Sequence, residues 1–157
     1  MPQLFDALRD LSELALGIRD CRLASERDAA TFLPETSARM GGLVYLWSDS
    51  MALHVGVLAT PGACGVLAGR LLGKPEGASL SHLVVRGAMC ELAYLLAGGV
   101  KRRLRSAGAV SVGQPCFLEG TIQPRLGWQV EATDVQLDHT PATLVCMTRS
   151  ASATLSP

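Results

Sequence analysis

Apolar positions recur every three or four residues between Leu80 and Leu104, where Val85, Ala88, Met89, Leu92, Leu95, Leu96 and Val100 define one broad face. The spacing predicts a long helix around which the rest of the chain packs. A second stripe on the same segment differs in kind: Gly87, Glu91, Tyr94 and Gly98 follow one another at three- or four-residue steps. Glu91 is the only acidic residue between Glu76 and Glu119. Burying a lone carboxylate is costly, so this stripe is expected to face solvent or a partner. Lys101, Arg102, Arg103 and Arg105 crowd the end of the segment, where cations suit the helix dipole.

The remaining pattern is a mixture of periods. Leu4, Leu8, Leu11, Ala15 and Ile18 make an amphipathic stripe, predicting a first helix over Pro2–Arg19. From Asp20 to Arg39 the pattern dissolves, and a loop with a short strand near Thr31–Leu33 is expected. Two apolar runs, Gly42–Trp47 and Met51–Leu58, flank Ser48-Asp49-Ser50 and read as a hairpin. Thr60-Pro61 is an N-cap followed by proline at the first helical position, and Gly73 ends the helix it starts. Gly62, Gly65 and Gly69 lie on one side of that helix. They match no phosphate-binding spacing and read as a smooth packing face.

Past the long helix, Ala109–Val112 and Cys116–Ile122 are broken by Gly113-Gln114-Pro115, which suits an interrupted edge strand. Trp128–Asp138 and Ala142–Arg149 close the chain as a hairpin. Its first strand changes phase between Ala132 and Val135, and a β-bulge near Thr133-Asp134 is expected. The predicted architecture is α+β, an antiparallel sheet of about six strands with helices packed on one face.

Composition narrows the function. At 157 residues, 48% hydrophobic and 18% charged, the chain suits one compact domain over 1–157. Fourteen basic residues balance fourteen acidic ones, so no net field recruits nucleic acid or a membrane surface. The start lacks a signal peptide's apolar run, and no window reaches the roughly 18 apolar residues of a membrane span, so a cytoplasmic protein is expected. Five cysteines without a CxxC read as reduced, buried, small apolar residues rather than a metal site or disulfide frame. His54, His82 and His139 have no mutual spacing that suggests a metal, so neither metal nor cofactor is expected.

The strand Met51–Val57, the helix Pro61–Gly73 ending in LLG, the helix reading ELAYLLAGGVKRRL and the following VSVGQPCFLEG occur in a distinctive order. Over about Met51–Arg149 they resemble the CheX-like family of chemotaxis phosphatases, relatives of CheC and FliY. The resemblance implies a two-component signalling domain whose long helix docks on a phosphorylated CheY-type receiver. In the family's E-x-x-N motif the Glu pairs with a receiver lysine. The Asn amide orients the water that attacks the aspartyl phosphate. Carried over, Glu91 holds the docking position, Tyr94 stands in place of the Asn, and Gly87 replaces an upstream Asp or Ser. Relatives of this fold also form homodimers by joining sheet edges, which makes Trp128–Asp138 the expected edge.

The tyrosine decides between two readings. A phenol lacks the amide's paired donor and acceptor, so it cannot position a water in the same way. The resemblance with this substitution implies a non-catalytic binder of a receiver or related partner through Gly87, Glu91, Tyr94 and Gly98. The alternative is an active aspartyl-phosphate phosphatase with another water-positioning group. Against both stands a plain solvated helix face carrying one aromatic.

Overall fold

The computed structural model of the chain describes residues 2–28, 39–104, 109–120 and 128–149, the side chains of 24–28 excepted. In these residues three helices, α1 (Pro2–Leu16), α2 (Pro61–Leu71) and α3 (His82–Arg103), cover one face of a seven-stranded antiparallel sheet. The strands are β1 (Cys21–Asp28), β2 (Arg39–Ser48), β3 (Met51–Ala59), β4 (Ser111–Val112), β5 (Cys116–Gly120), β6 (Trp128–Leu137) and β7 (Thr140–Arg149). The sheet order is β1-β6-β7-β3-β2-β4, with β5 also pairing β2. The architecture is the α+β one expected, with seven strands in place of about six.

The extra strand is β1, in the stretch expected to be a loop. Its sequence CRLASERD is polar and shows no alternation, so only its pairing with β6 identifies it. The expected strand at Thr31–Leu33 lies outside the described residues. Pairing with β1 also makes β6 an interior strand, so the Trp128–Asp138 segment is not an edge of the sheet. Among the described residues the free edges belong to β1 and to the broken pair β4 and β5.

The phase change in β6 has a different origin from a bulge in that strand. Its register with β7 runs unbroken from Trp128↔Arg149 to Leu137↔Thr140. Val135 and Leu137 point under the helices, whereas Val130 and Ala132 join Leu58 and Val145 in a second buried cluster on the opposite face. Alternation is preserved, and the apolar side changes along the strand. The irregularity sits in the partner strand, between Leu23 and Ser25 of β1.

Helix ends follow the caps. Thr60 Oγ1 accepts from the Ala63 amide at 3.3 Å, and Pro61 occupies the first helical position. α1 stops three residues short of Arg19 because Gly17 takes a left-handed conformation, φ 62°, and the Ile18 amide donates back to the Ser12 carbonyl at 2.9 Å. The face of α2 carrying Gly62, Gly65 and Gly69 does not pack closely as expected. A Cβ at any of them would meet nothing within 4 Å, and together with residues 74–78 they line an open groove of ≈ 370 Å³.

By length and composition α3 could cross a membrane, contrary to the sequence expectation, but half of its most apolar window is buried within the protein. Met89, Leu92 and Leu96 are buried to 0–1% exposure against the sheet. Each contributes about 1.5–3 kcal/mol of burial. The helix comes close because β2 offers bare backbone beneath it. A Cβ at Gly42 would lie 2.3 Å from the Met89 carbonyl oxygen and 2.8 Å from Ala93 Cβ. On the other side Gly99 meets Ala7 of α1, and the Arg103 guanidinium donates to the Asp6 and Gly99 carbonyls and to the Asp10 carboxylate. This ties α1 to the end of α3.

The far side of the sheet carries a row of rings. Tyr45 stacks on Trp47 at 5.3 Å, His54 lies 4.8 Å from Tyr45 and Trp128 5.1 Å from His54. Burial holds the His54 imidazole below its usual pKa, and among the described residues its Nδ1 has no hydrogen-bond partner. Of the five free thiols only Cys64 is fully buried, donating to the Met40 carbonyl and pushed up to about 11 by burial. Cys116 is exposed, against expectation.

Two predictions arise here. Gly42→Ala places a methyl group on backbone atoms that cannot yield, so it should cost about 1–3 kcal/mol or more in chemical denaturation. A stability equal to the parent's would mean that α3 does not rest on β2 as described. The second concerns Asp138, at the turn between β6 and β7 with φ 51°. Its carboxylate accepts from the Asp20 amide at 3.1 Å and from Arg70 of α2 at 2.8 Å. These contacts, the Asp20 amide foremost, hold its pKa below the usual value. A depressed carboxylate stabilises the fold above its unfolded value of about 3.9 and loses that contribution as pH falls through its folded value. Asp138→Asn tolerates the left-handed backbone but takes up no proton there. It should therefore lose less stability than the parent between pH 6 and pH 2, and equal losses would refute the clamp.

Candidate functional site

α3 is placed by both of its ends and by the contacts beneath it. Ser81 caps it, its hydroxyl accepting from the Val84 amide at 3.4 Å, and Leu104 closes it with a backbone bond to Val100. Val85, Ala88, Met89, Leu92, Leu96 and Val100 are buried as the spacing predicts. Leu95 departs from the predicted face, at 37% exposure. It stands beside Glu91, four residues on, at the margin between core and solvent.

The outward face carries the sequence-predicted stripe. Gly87, Glu91 and Tyr94 are exposed and Gly98 is half-buried. At Gly87 and Gly98 a Cβ would meet nothing, so bare helix backbone opens outward at both. Tyr94 stands between them at 45% exposure. Glu91 is exposed, and among the described residues it makes no ion pair or hydrogen bond.

Sequence reasoning missed part of this surface. Leu83 is 75% exposed and Val84 is also exposed, extending the stripe by one apolar turn toward the helix start. Ser81 was the available signal, since capping there puts both residues in the first turn, beyond the sheet's cover. At one flank β5 supplies Phe117, with the Arg86 guanidinium 5.9 Å from its ring centre and His82 edge-on at the same distance. His82 Nε2 lies 3.2 Å from the Glu119 carboxylate. Gln114, the nearest amide in sequence, sits exposed in the break between β4 and β5.

Chemically the face is a strip of apolar groups and bare backbone around one carboxylate and one phenol. Such a surface suits protein docking, with the tyrosine as an amphipathic anchor.

No protein-family model and no curated protein matches the chain by sequence. Solved structures do match its fold. The chemotaxis protein CheX from Desulfovibrio desulfuricans is similar with a TM-score of 0.74 and 13% identity, over 94% of this chain and 97% of that one. The CheX of Borrelia burgdorferi, solved in a CheX–CheY–BeF3–Mg2+ complex, is similar at 0.70 and 13%, covering 95% and 96%. A CheC-like superfamily protein from Shewanella sp. PV-4 gives 0.66 and 16%, covering 95% and 96%. The chain has the fold of the CheC, CheX and FliY proteins.

Proposed function

We propose that residues 1–157 act as one CheX-like signalling domain in the cytoplasm that binds a CheY-type receiver through α3 without hydrolysing its phosphate. The observation that carries this reading is the outward strip of exposed Gly87, Glu91 and Tyr94 and half-buried Gly98 on the longest helix of a fold shared with the Borrelia CheX of the CheX–CheY complex. Glu91 supplies the one charge, to pair with a cation on the receiver. Tyr94 supplies contact area. The phenol occupies the place of the family's amide and cannot both donate to and accept from an attacking water in the amide's geometry.

The test is a titration and a decay measurement made together. A CheY-type receiver carrying beryllofluoride and Mg2+ should bind the parent, and Glu91→Ala should weaken binding about tenfold while leaving thermal stability unchanged. The decay of a phosphorylated receiver should not accelerate with the parent. Faster decay would establish the phosphatase reading instead, and no binding would remove the docking role. Tyr94→Asn is expected to preserve binding.

We also propose that two copies pair along an open sheet edge. With β6 interior, the candidate edges among the described residues are β1 and the β4 and β5 pair. Sedimentation should give a dimer at high micromolar concentration; a monomer there would exclude it.

A further inference from the structure

The three basic residues in the last turn of α3 have separate roles. Arg103 is occupied, bonded to the Gly99 and Asp6 carbonyls and the Asp10 carboxylate. Lys101 and Arg102 are exposed, and among the described residues neither makes an ion pair or hydrogen bond. Their positions continue the outward stripe: Gly87, Glu91, Tyr94 and Gly98 are followed at the next three- and four-residue steps by Lys101 and Arg102. The helix dipole accounts for cations somewhere in this last turn. It does not require two of them to be left free on the same face as Tyr94.

We infer that Lys101 and Arg102 form the electrostatic end of the docking strip and draw it onto an acidic, phosphoryl-bearing pocket of the partner. The inference rests on the docking reading above and extends it by naming the charge that the partner presents. The Borrelia complex contains CheY together with Mg2+ and beryllofluoride. A Mg2+ site of that kind needs carboxylate oxygens, and a phosphoryl group adds further negative charge. Along the helix Lys101 lies seven residues beyond Tyr94, about 10 Å at 1.5 Å per residue. The screening length is about 8 Å at physiological salt and about 30 Å at 0.01 M, so the attraction is strong at low ionic strength and fades across the physiological range. Glu91, about 15 Å from Lys101 by the same rise, carries the opposite sign. The strip is therefore polar along its length and fits a partner in one direction only: cation opposite Glu91, acidic pocket toward Lys101 and Arg102. Charges placed at a rim act mainly on the rate of association and on orientation.

The full chain would be tested by stopped-flow association with a CheY-type receiver carrying beryllofluoride and Mg2+, across a salt series. The double reversal Lys101→Glu, Arg102→Glu should lower the association rate constant about tenfold or more at low salt and flatten its salt dependence. The dissociation rate and the melting temperature should change little. Lys74→Glu, a reversal in the turn after α2, should move the rate far less. A receiver that binds the parent and the double variant at the same rate and with the same salt slope would overturn the inference while leaving the docking reading intact. A receiver that does not bind the parent at all would overturn both.

Discussion

The backbone contact between α3 and β2 is the constraint on which the exposed face depends. Gly42 lets the Met89 carbonyl and Ala93 approach a strand with no side chain between them. That approach seats Met89, Leu92 and Leu96 fully in the core, which fixes the rotation of the helix about its own axis. Once the rotation is fixed, residues a half-turn away have no choice but to look outward. The outward strip is thus a consequence of a missing Cβ on the opposite side of the helix. Gly99 against Ala7 and the Arg103 contacts to α1 hold the same rotation at the far end.

Much of this was legible in the sequence, and for identifiable reasons. The helices were visible because their periods are long and their caps, Thr60-Pro61 and Gly73, are strong local signals. The outward stripe was visible because an isolated Glu91 among apolar residues has few places to go. β1 was invisible, since a polar strand without alternation is defined by its partner alone. Missing it also misplaced the sheet edge, because an edge is a property of pairing and not of a segment. The phase change in β6 was read correctly as a pattern and wrongly as a bulge: two separate apolar clusters, one on each face, give the same spacing.

The site itself was less legible than the fold. Spacing identified four residues of the strip, but Leu83 and Val84 belong to it only because the sheet does not extend beneath the first turn of α3. The three glycines of α2 made the opposite error. Small residues in a row suggested close packing, yet they face a groove, because α2 turns its other side, with Ala63, Cys64 and Leu67, into the core. Small side chains permit an approach; a neighbouring element must still be there to make it.

The ring row has an optical consequence. Both tryptophans of the chain lie on the sheet face away from the helices, one stacked on Tyr45 and the other beside His54. Their emission therefore follows the integrity of the sheet and the charge of His54, and is remote from α3. Tyr94 stands alone on the opposite side of the protein, so a signal from the tryptophans and a signal from a partner on the strip are physically independent channels within one molecule.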